Sequence, residues 1–431
     1  MKTGPFLDDL AAAVDAQMPL AEKLFDTLAE RTRDGVGVTR PAWSERDSIA
    51  AALVEHAAGD IGLEVTRDPA GNIYATLPGA TVDAPAVLMG SHLDSVPTGG
   101  NYDGFAGVVA GLVVQAAARD IGVTPPCALR TVGLRGEESV WYGTAYLGSR
   151  LAVGDLPLAA LDRLTRSDTG RSLGDHIGAH GGDVAALRAG AAPVVTGENT
   201  KAFFELHIEQ GPVLVGENLA VAVPTVIRGN MRFPFARCLG EYAHSAAVPR
   251  EYRHDAAHAV VELISALDRL WQGMDEEGES DTVFTVGELY TDAAHHAMTK
   301  VPGECRFSIN FGATDTAALE RVRDTIVALA EEIAARRRVT FELGDCVGSD
   351  PTPLDPGLRG RLVASAQALG LAAHEMPTVG HDASIFQRAG IPAAMVLVRN
   401  QHGSHNPHEA MEMADFGAGT RLLAAAVLEV A

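Results

Sequence analysis

His92 with Asp94, Asp103, the pair Glu137 and Glu138, His207 and His405 are the residues of this chain best suited to do chemistry. They are scattered over more than 300 positions, each near a glycine and each following or interrupting an apolar run. Together they offer two imidazoles, a carboxylate able to bridge, a carboxylate pair and a third imidazole. That is the inventory of a hydrolase working with two divalent cations. A reaction class follows from it, whereas a substrate does not.

Each cluster has its own logic. In MGSHLDS, His92 and Asp94 stand two apart at a strand end, so their side chains point the same way. Asp94 can then accept or steer the second ring proton of a ligand histidine. In GGNYDGFAGVVAG, Asp103 lies among Gly99, Gly100, Gly104 and Gly107. A helix N-cap needs no such glycines, but a bridging carboxylate needs close backbone approach. Glu137 and Glu138, just past a buried strand, can divide labour, one holding metal and the other moving a proton. His207 follows an apolar run in LHIEQG, where a buried structural histidine is the competing reading. His405 sits in GSHNPHE, a loop stiffened by Asn406 and Pro407, with His402 and His408 as surface or supporting groups. His381 and Asp382, in HDAS, either support substrate binding or begin a helix. His244, in a Ser- and Ala-rich loop far from the other clusters, suggests an oxyanion-stabilising group delivered across a domain or subunit boundary.

The elements that must position these groups read as α/β. Residues 6–33 carry a helical period, and residues 44–66 form a second helix ending at Gly59 or Gly62. LEVTRDPAGNIYATLPG is a hairpin turning at Asp68-Pro69-Ala70-Gly71. A buried strand from Ala86 to Met89, a helix over FAGVVAGLVVQAAARDIG and a strand in CALRTVGLRGEES follow, with polar clusters at both strand ends. Ligands bind at such carboxyl ends. Residues 151–198 form a helical surface excursion, and KAFFELHIEQGPVL is a strand running into His207. Past it the order becomes strand, helix, strand, strand, helix, strand, close to a split βαβ unit. The expected domains are 1–212 and 329–431 for a first, discontinuous domain and 213–328 for an inserted one.

A chain of 431 residues is long for one core, and 47% apolar residues rule out disorder. A formal charge of -22 argues against a nucleic-acid partner. Cys127, Cys238, Cys305 and Cys346 lack CxxC spacing and are expected as free, buried thiols in a reducing compartment. No apolar run suits a signal peptide or a membrane span, so a soluble cytoplasmic protein is expected.

With GSHLDSVPTGGNYDG, Glu137-Glu138, ELHIEQGPVL and GHDA…GSHNPHE in this order, the chain resembles the M20 family of metal-dependent amidohydrolases and peptidases. The nearer resemblance is to its branch of N-carbamoyl-L-amino-acid hydrolases, allantoate amidohydrolases and β-ureidopropionases, over about residues 20 to 425. It implies a zinc-peptidase-like mixed-sheet catalytic domain with an inserted α+β, ferredoxin-like dimerisation (lid) domain. It also implies two divalent ions per subunit (Zn, Mn, Co or Ni). By resemblance, His92 and His207 share one ion, Asp103 bridges, Glu138 and His405 complete the second, Glu137 is the general base and Asp94 orients His92. Gln210 matches a substrate contact, and His244 matches the histidine that reaches the partner subunit's site in family homodimers. The implied reaction is hydrolysis of a linear C–N bond in an N-carbamoyl, ureido or related amide compound. Alternatives are an M20-type amidase, an acylamino-acid hydrolase or dipeptidase, and an aromatic amine deaminase.

The chain departs from the branch where a substrate carboxylate is gripped. Thr299 takes the place of the branch's Asn and Gly312 that of its Arg, and glycine cannot replace a guanidinium fork. Either Arg250 or Arg399, both at positions unusual for the branch, restores the charge, or the substrate lacks that carboxylate.

Overall fold

The structure, a computed structural model, describes residues 4–278 and 281–431. The chain forms two compact units: everything up to Thr225 together with Leu354–Ala431, and Val226–Pro353.

In the first unit, the strands Ala393–Val398, Thr200–Ile208, Ala86–His92 and Leu129–Leu134 lie side by side and parallel. Antiparallel Ile73–Leu77 and then Glu64–Arg67 extend one edge, and Val221–Ile227 the other. The parallel strands are buried nearly throughout, as continuous apolar runs require. The helix Phe105–Asp120 is buried at every position from Phe105 to Ala118, and Met413–Val430 is almost as enclosed. Both join the strands in one apolar core. Short helices between Leu147 and Arg188 make up the expected excursion and close a smaller core around Trp43, Trp141 and Leu161.

Local chemistry explains the edges. The Asp68–Gly71 turn is closed by the Gly71 N–H on the Asp68 carbonyl, with Gly71 at φ +83. The second expected helix is Glu45–Ile61, with Ser44 accepting the Asp47 N–H at its start and Gly62 ending it. The expected single helix over 6–33 is instead two, Gly4–Ala16 and Met18–Thr32. Pro19, in the first turn of the second helix, cannot continue a helix from upstream because it has no N–H to donate.

In the second unit the sheet order is Val283–Thr285, Glu304–Ala313, Gly229–Leu239, Thr340–Glu342, all antiparallel. The helices Ala256–Glu277 and Thr316–Arg337 share a core with the inward residues Met231, Phe233, Phe307, Ile309 and Phe311. This is the split βαβ arrangement read from the sequence. Its boundaries are corrected to 226 and 353. Residue 328 falls within the Thr316–Arg337 helix, and Thr340–Glu342 and Val347–Ser349 still pair with Gly229–Leu239.

All four cysteines are free thiols. Cys127, Cys238 and Cys305 are buried as expected, but Cys346 is exposed. Among the described residues no helix is long and apolar enough to cross a membrane.

Candidate metal centre

Asp103 gathers the dispersed clusters. Its Oδ1 lies 3.4 Å from His92 Nε2 and 3.2 Å from His207 Nε2, and its Oδ2 lies 3.4 Å from His405 Nε2. His405 Nε2 is also 3.5 Å from Glu138 Oε1. The two faces of one carboxylate therefore meet two separate ligand sets, His92 with His207 and His405 with Glu138. Three groups of potential ligands converge: His92, Asp103 and His207; His92, Glu137 and Glu138; Asp103, Glu138 and His405.

The fold brings them together through strand ends. His92 closes the strand Ala86–His92, His207 is the penultimate residue of Thr200–Ile208, and the glutamates follow Leu129–Leu134. Asp103 comes from the loop ahead of Phe105–Asp120 and His405, at φ +58, from the loop after Ala393–Val398. Gly104 caps that helix without a side-chain bond, so Asp103 serves the centre rather than the helix end. Gly104 must be glycine twice over: its φ is +69, and a Cβ there would fall 2.4 Å from the His92 ring.

The donor set fits divalent cations. His92 Nδ1 lies 3.1 Å from the Asp94 carbonyl oxygen and His207 Nδ1 2.9 Å from that of Ile208. These acceptors assign the ring protons to Nδ1 and leave Nε2 of each ring as an acceptor, that of His207 receiving the Gly104 N–H at 3.1 Å. The two Nε2 atoms are 3.4 Å apart. Ligands at about 2.1 Å around a tetrahedral ion are separated by about 3.4 Å, the spacing that the two Nε2 atoms have.

Electrostatics agree. Against the desolvation of burial, the imidazoles of His207, His405 and His92 gathered around it hold Asp103 well below the usual carboxylate range. Its carboxylate, chiefly by hydrogen bonding, raises His405 to about 9. Burial, reinforced by Asp103, pushes Glu138 up to about 7. Burial also raises Glu137 well above the ordinary range, with Glu138, Asp382 and Asp94 adding to it.

The role expected for Asp94 is corrected. Its Oδ1 is 3.7 Å from His92 Nδ1, too far for a hydrogen bond, and it is the Asp94 carbonyl that steers the ring. The carboxylate instead accepts the backbone N–H groups of Gly136, Glu137 and Glu138 at 2.9, 3.1 and 3.1 Å. Gln210 touches the centre itself, donating from Nε2 to Asp103 Oδ2 at 2.9 Å. His381 rests on His207 with ring centroids 4.4 Å apart. Asp382 precedes a helix without capping it, and accepts from Ser149 Oγ.

Two further residues support the centre: Glu409, which stands near His405 in sequence without an assigned role, and Ser404, which the sequence did not single out. Glu409 accepts the backbone N–H groups of Tyr102 and Asp103, and Ser404 Oγ lies 2.6 Å from Asp103 Oδ2 and 2.8 Å from Glu409 Oε2. The signal was the glycine at 100, whose Cβ would fall 2.1 Å from the Glu409 carboxyl carbon.

The remaining candidates stand elsewhere. Arg399 forms a two-pronged ion pair with Asp415 at 2.8 and 2.9 Å and donates its third nitrogen to Asn218, so its guanidinium is committed to structure. His244, Arg250, Thr299 and Gly312 belong to the second unit, and none of the clustered ligands does. His244 is exposed and its Nδ1 accepts the Ala246 N–H. At Gly312, a Cβ would meet the Val283 side chain at 2.8 Å, so a longer side chain requires Val283 to move.

The family described as peptidase family M20/M25/M40 matches residues 88–429. An N-carbamoyl-L-amino-acid amidohydrolase of Rhizobium meliloti is 29% identical, over 98% of this chain and 99% of that protein. An Arabidopsis thaliana ureidoglycolate hydrolase is also 29% identical, over 96% of this chain and 87% of that one. A Burkholderia multivorans amidase of the hydantoinase/carbamoylase family superposes with a TM-score of 0.85 at 28% identity, covering 95% of this chain and 97% of its own.

Proposed function

The chain belongs to peptidase family M20/M25/M40, and on that premise we propose that it hydrolyses the linear C–N bond of a small N-carbamoyl, ureido or related amide compound lacking the usual α-carboxylate. The chain is a metal-dependent hydrolase of this family, acting on an amide- or ureido-type C–N bond.

The observation that carries the reading is the division of Asp103 between two ligand sets. Divalent cations bound there, drawn from Zn, Mn, Co or Ni, would supply Lewis acidity toward the scissile carbonyl and lower the pKa of water. The protein does the rest. Glu137 takes a proton from the attacking water and returns it to the leaving nitrogen. Its carboxyl, raised by burial and neighbouring carboxylates, suits a group that must hold that proton between the two steps. Asp94 fixes the backbone that carries it. With a carbamoyl substrate the products are an amine, carbon dioxide and ammonia. We assign His244 as the oxyanion donor reaching a neighbouring subunit's centre in a homodimer.

The substrate reading rests on what replaces the carboxylate clamp. Gly312 brings no guanidinium, Val283 crowds its place, and Arg399 is held by Asp415. The test is a product assay with Zn-, Mn- and Co-loaded protein. Its panel holds N-carbamoyl amino acids, allantoate and 3-ureidopropionate beside matching ureido and amide compounds without the carboxylate. Turnover confined to the second group is expected. Preferred turnover of carbamoyl amino acids, lost in Arg250→Met, overturns the substrate reading and makes Arg250 the clamp.

A further inference from the structure

The second unit holds a cavity of about 810 Å³ between the loop around residues 246–253 and the C-terminal end of the helix Thr316–Arg337. Five guanidinium groups line it, from Arg250, Arg253, Arg336, Arg337 and Arg338, against two carboxylates, Glu251 and Asp255. No residue of the metal clusters contributes.

The charges are unevenly met. Arg336 and Arg337 share Glu262, Arg336 also lies 3.9 Å from Glu332, and their place in the last helical turn is explained by the helix dipole. Arg253 spends its donors on the Val248 and Ser245 carbonyls, and Arg338 donates to the Glu251 carbonyl. Carbonyl acceptors satisfy N–H groups without neutralising charge. Asp255 is engaged with its own helix, accepting the His258 N–H as cap of Ala256–Glu277 and lying 3.6 Å from His258 Nδ1. The Arg250 guanidinium makes no hydrogen bond or ion pair among the described residues, and the residue is exposed. Three guanidinium groups, those of Arg250, Arg253 and Arg338, thus converge without a paired carboxylate, on a chain whose formal charge is -22.

We propose that this cavity binds a small oxyanionic molecule, gripped through phosphate or carboxylate groups. Guanidinium forks match both groups in a two-pronged geometry. The volume lies within the range of small-molecule sites, about 300–1,000 Å³, and leaves room for more than one anionic group. The helix dipole accounts for Arg336 and Arg337 but not for the convergence of Arg250, Arg253 and Arg338 upon them.

Isothermal titration calorimetry on the full-length protein tests it, with inorganic phosphate and with succinate as probes. One saturable site per chain is expected for at least one probe, weakening with added salt, and the better probe identifies the preferred group. Arg250→Met should weaken binding roughly tenfold or more, while His405→Ala leaves it unchanged. Arg338→Met provides a second, independent lesion, and thermal melts establish that each variant is folded. The proposal is overturned if neither probe saturates. It is equally overturned if binding survives in both folded arginine variants, or disappears in His405→Ala, which would assign the anion to the metal centre.

Discussion

The Asp94 carboxylate accepts the Glu138 backbone N–H at 3.1 Å, across 44 positions of sequence. With the bonds from Gly136 and Glu137, it fixes the loop that presents both the expected base and an expected ligand. Asp94 is fully buried, and its carboxylate is the acceptor that these three donors have.

Asp94→Asn therefore puts an amide NH2 where one acceptor oxygen stood. Metal affinity should fall about 10–100-fold, the usual cost of losing a group that supports a ligand. Turnover should fall with it even at saturating metal, because the loop that carries Glu137 loses one of its three anchoring bonds. Calorimetric metal titration and kcat at excess metal measure the two effects. Unchanged affinity in a folded variant would remove the loop-fixing role.

Glu137→Gln keeps the shape of the side chain and removes the proton acceptor. Metal content should remain that of the parent protein, and kcat should drop about 10²–10⁴-fold. Metal analysis beside steady-state kinetics checks this, and equal turnover would sink the assignment of Glu137 as base.

Metal affinity should depend on pH with a known sign. His405 is raised to about 9 and Glu138 to about 7, and both must lose their protons to serve as ligands. Below pH 9 binding displaces a proton from His405, and below pH 7 a second from Glu138. Affinity should thus decline as the pH falls through 9, and more steeply below 7. Titrations in buffers of different ionisation enthalpy count the protons released.

Arg399→Met breaks the ion pair with Asp415, whose side chain is buried. The melting temperature should drop, by an amount corresponding to about 1–3 kcal/mol for a buried acceptor left unpaired. KM should stay within about twofold, because an arginine held by Asp415 and Asn218 takes no part in substrate binding. A large rise in KM with an unchanged melt would return Arg399 to the substrate site.

Much of this protein was fixed by local chemistry. Buried apolar runs gave the parallel strands, the Asp68–Gly71 turn gave the hairpin, and the glycines around Asp103 announced close approach. The ligand residues were legible because they sit at strand ends, where sequence period and polar composition change together. Tertiary structure decided what each polar side chain does. Asp94 serves a loop 42–44 positions away, Glu409 serves Asp103 from 306 positions away, and Arg399 is held by Asn218 from 181 away. The inserted unit's limits were likewise settled by Thr340–Glu342 and Val347–Ser349 adding to a sheet begun more than a hundred residues earlier. Backbone period and turn chemistry act between neighbours in sequence, so they can be read there. A buried hydrogen bond depends only on which atoms folding brings within about 3 Å, and sequence distance carries no record of that.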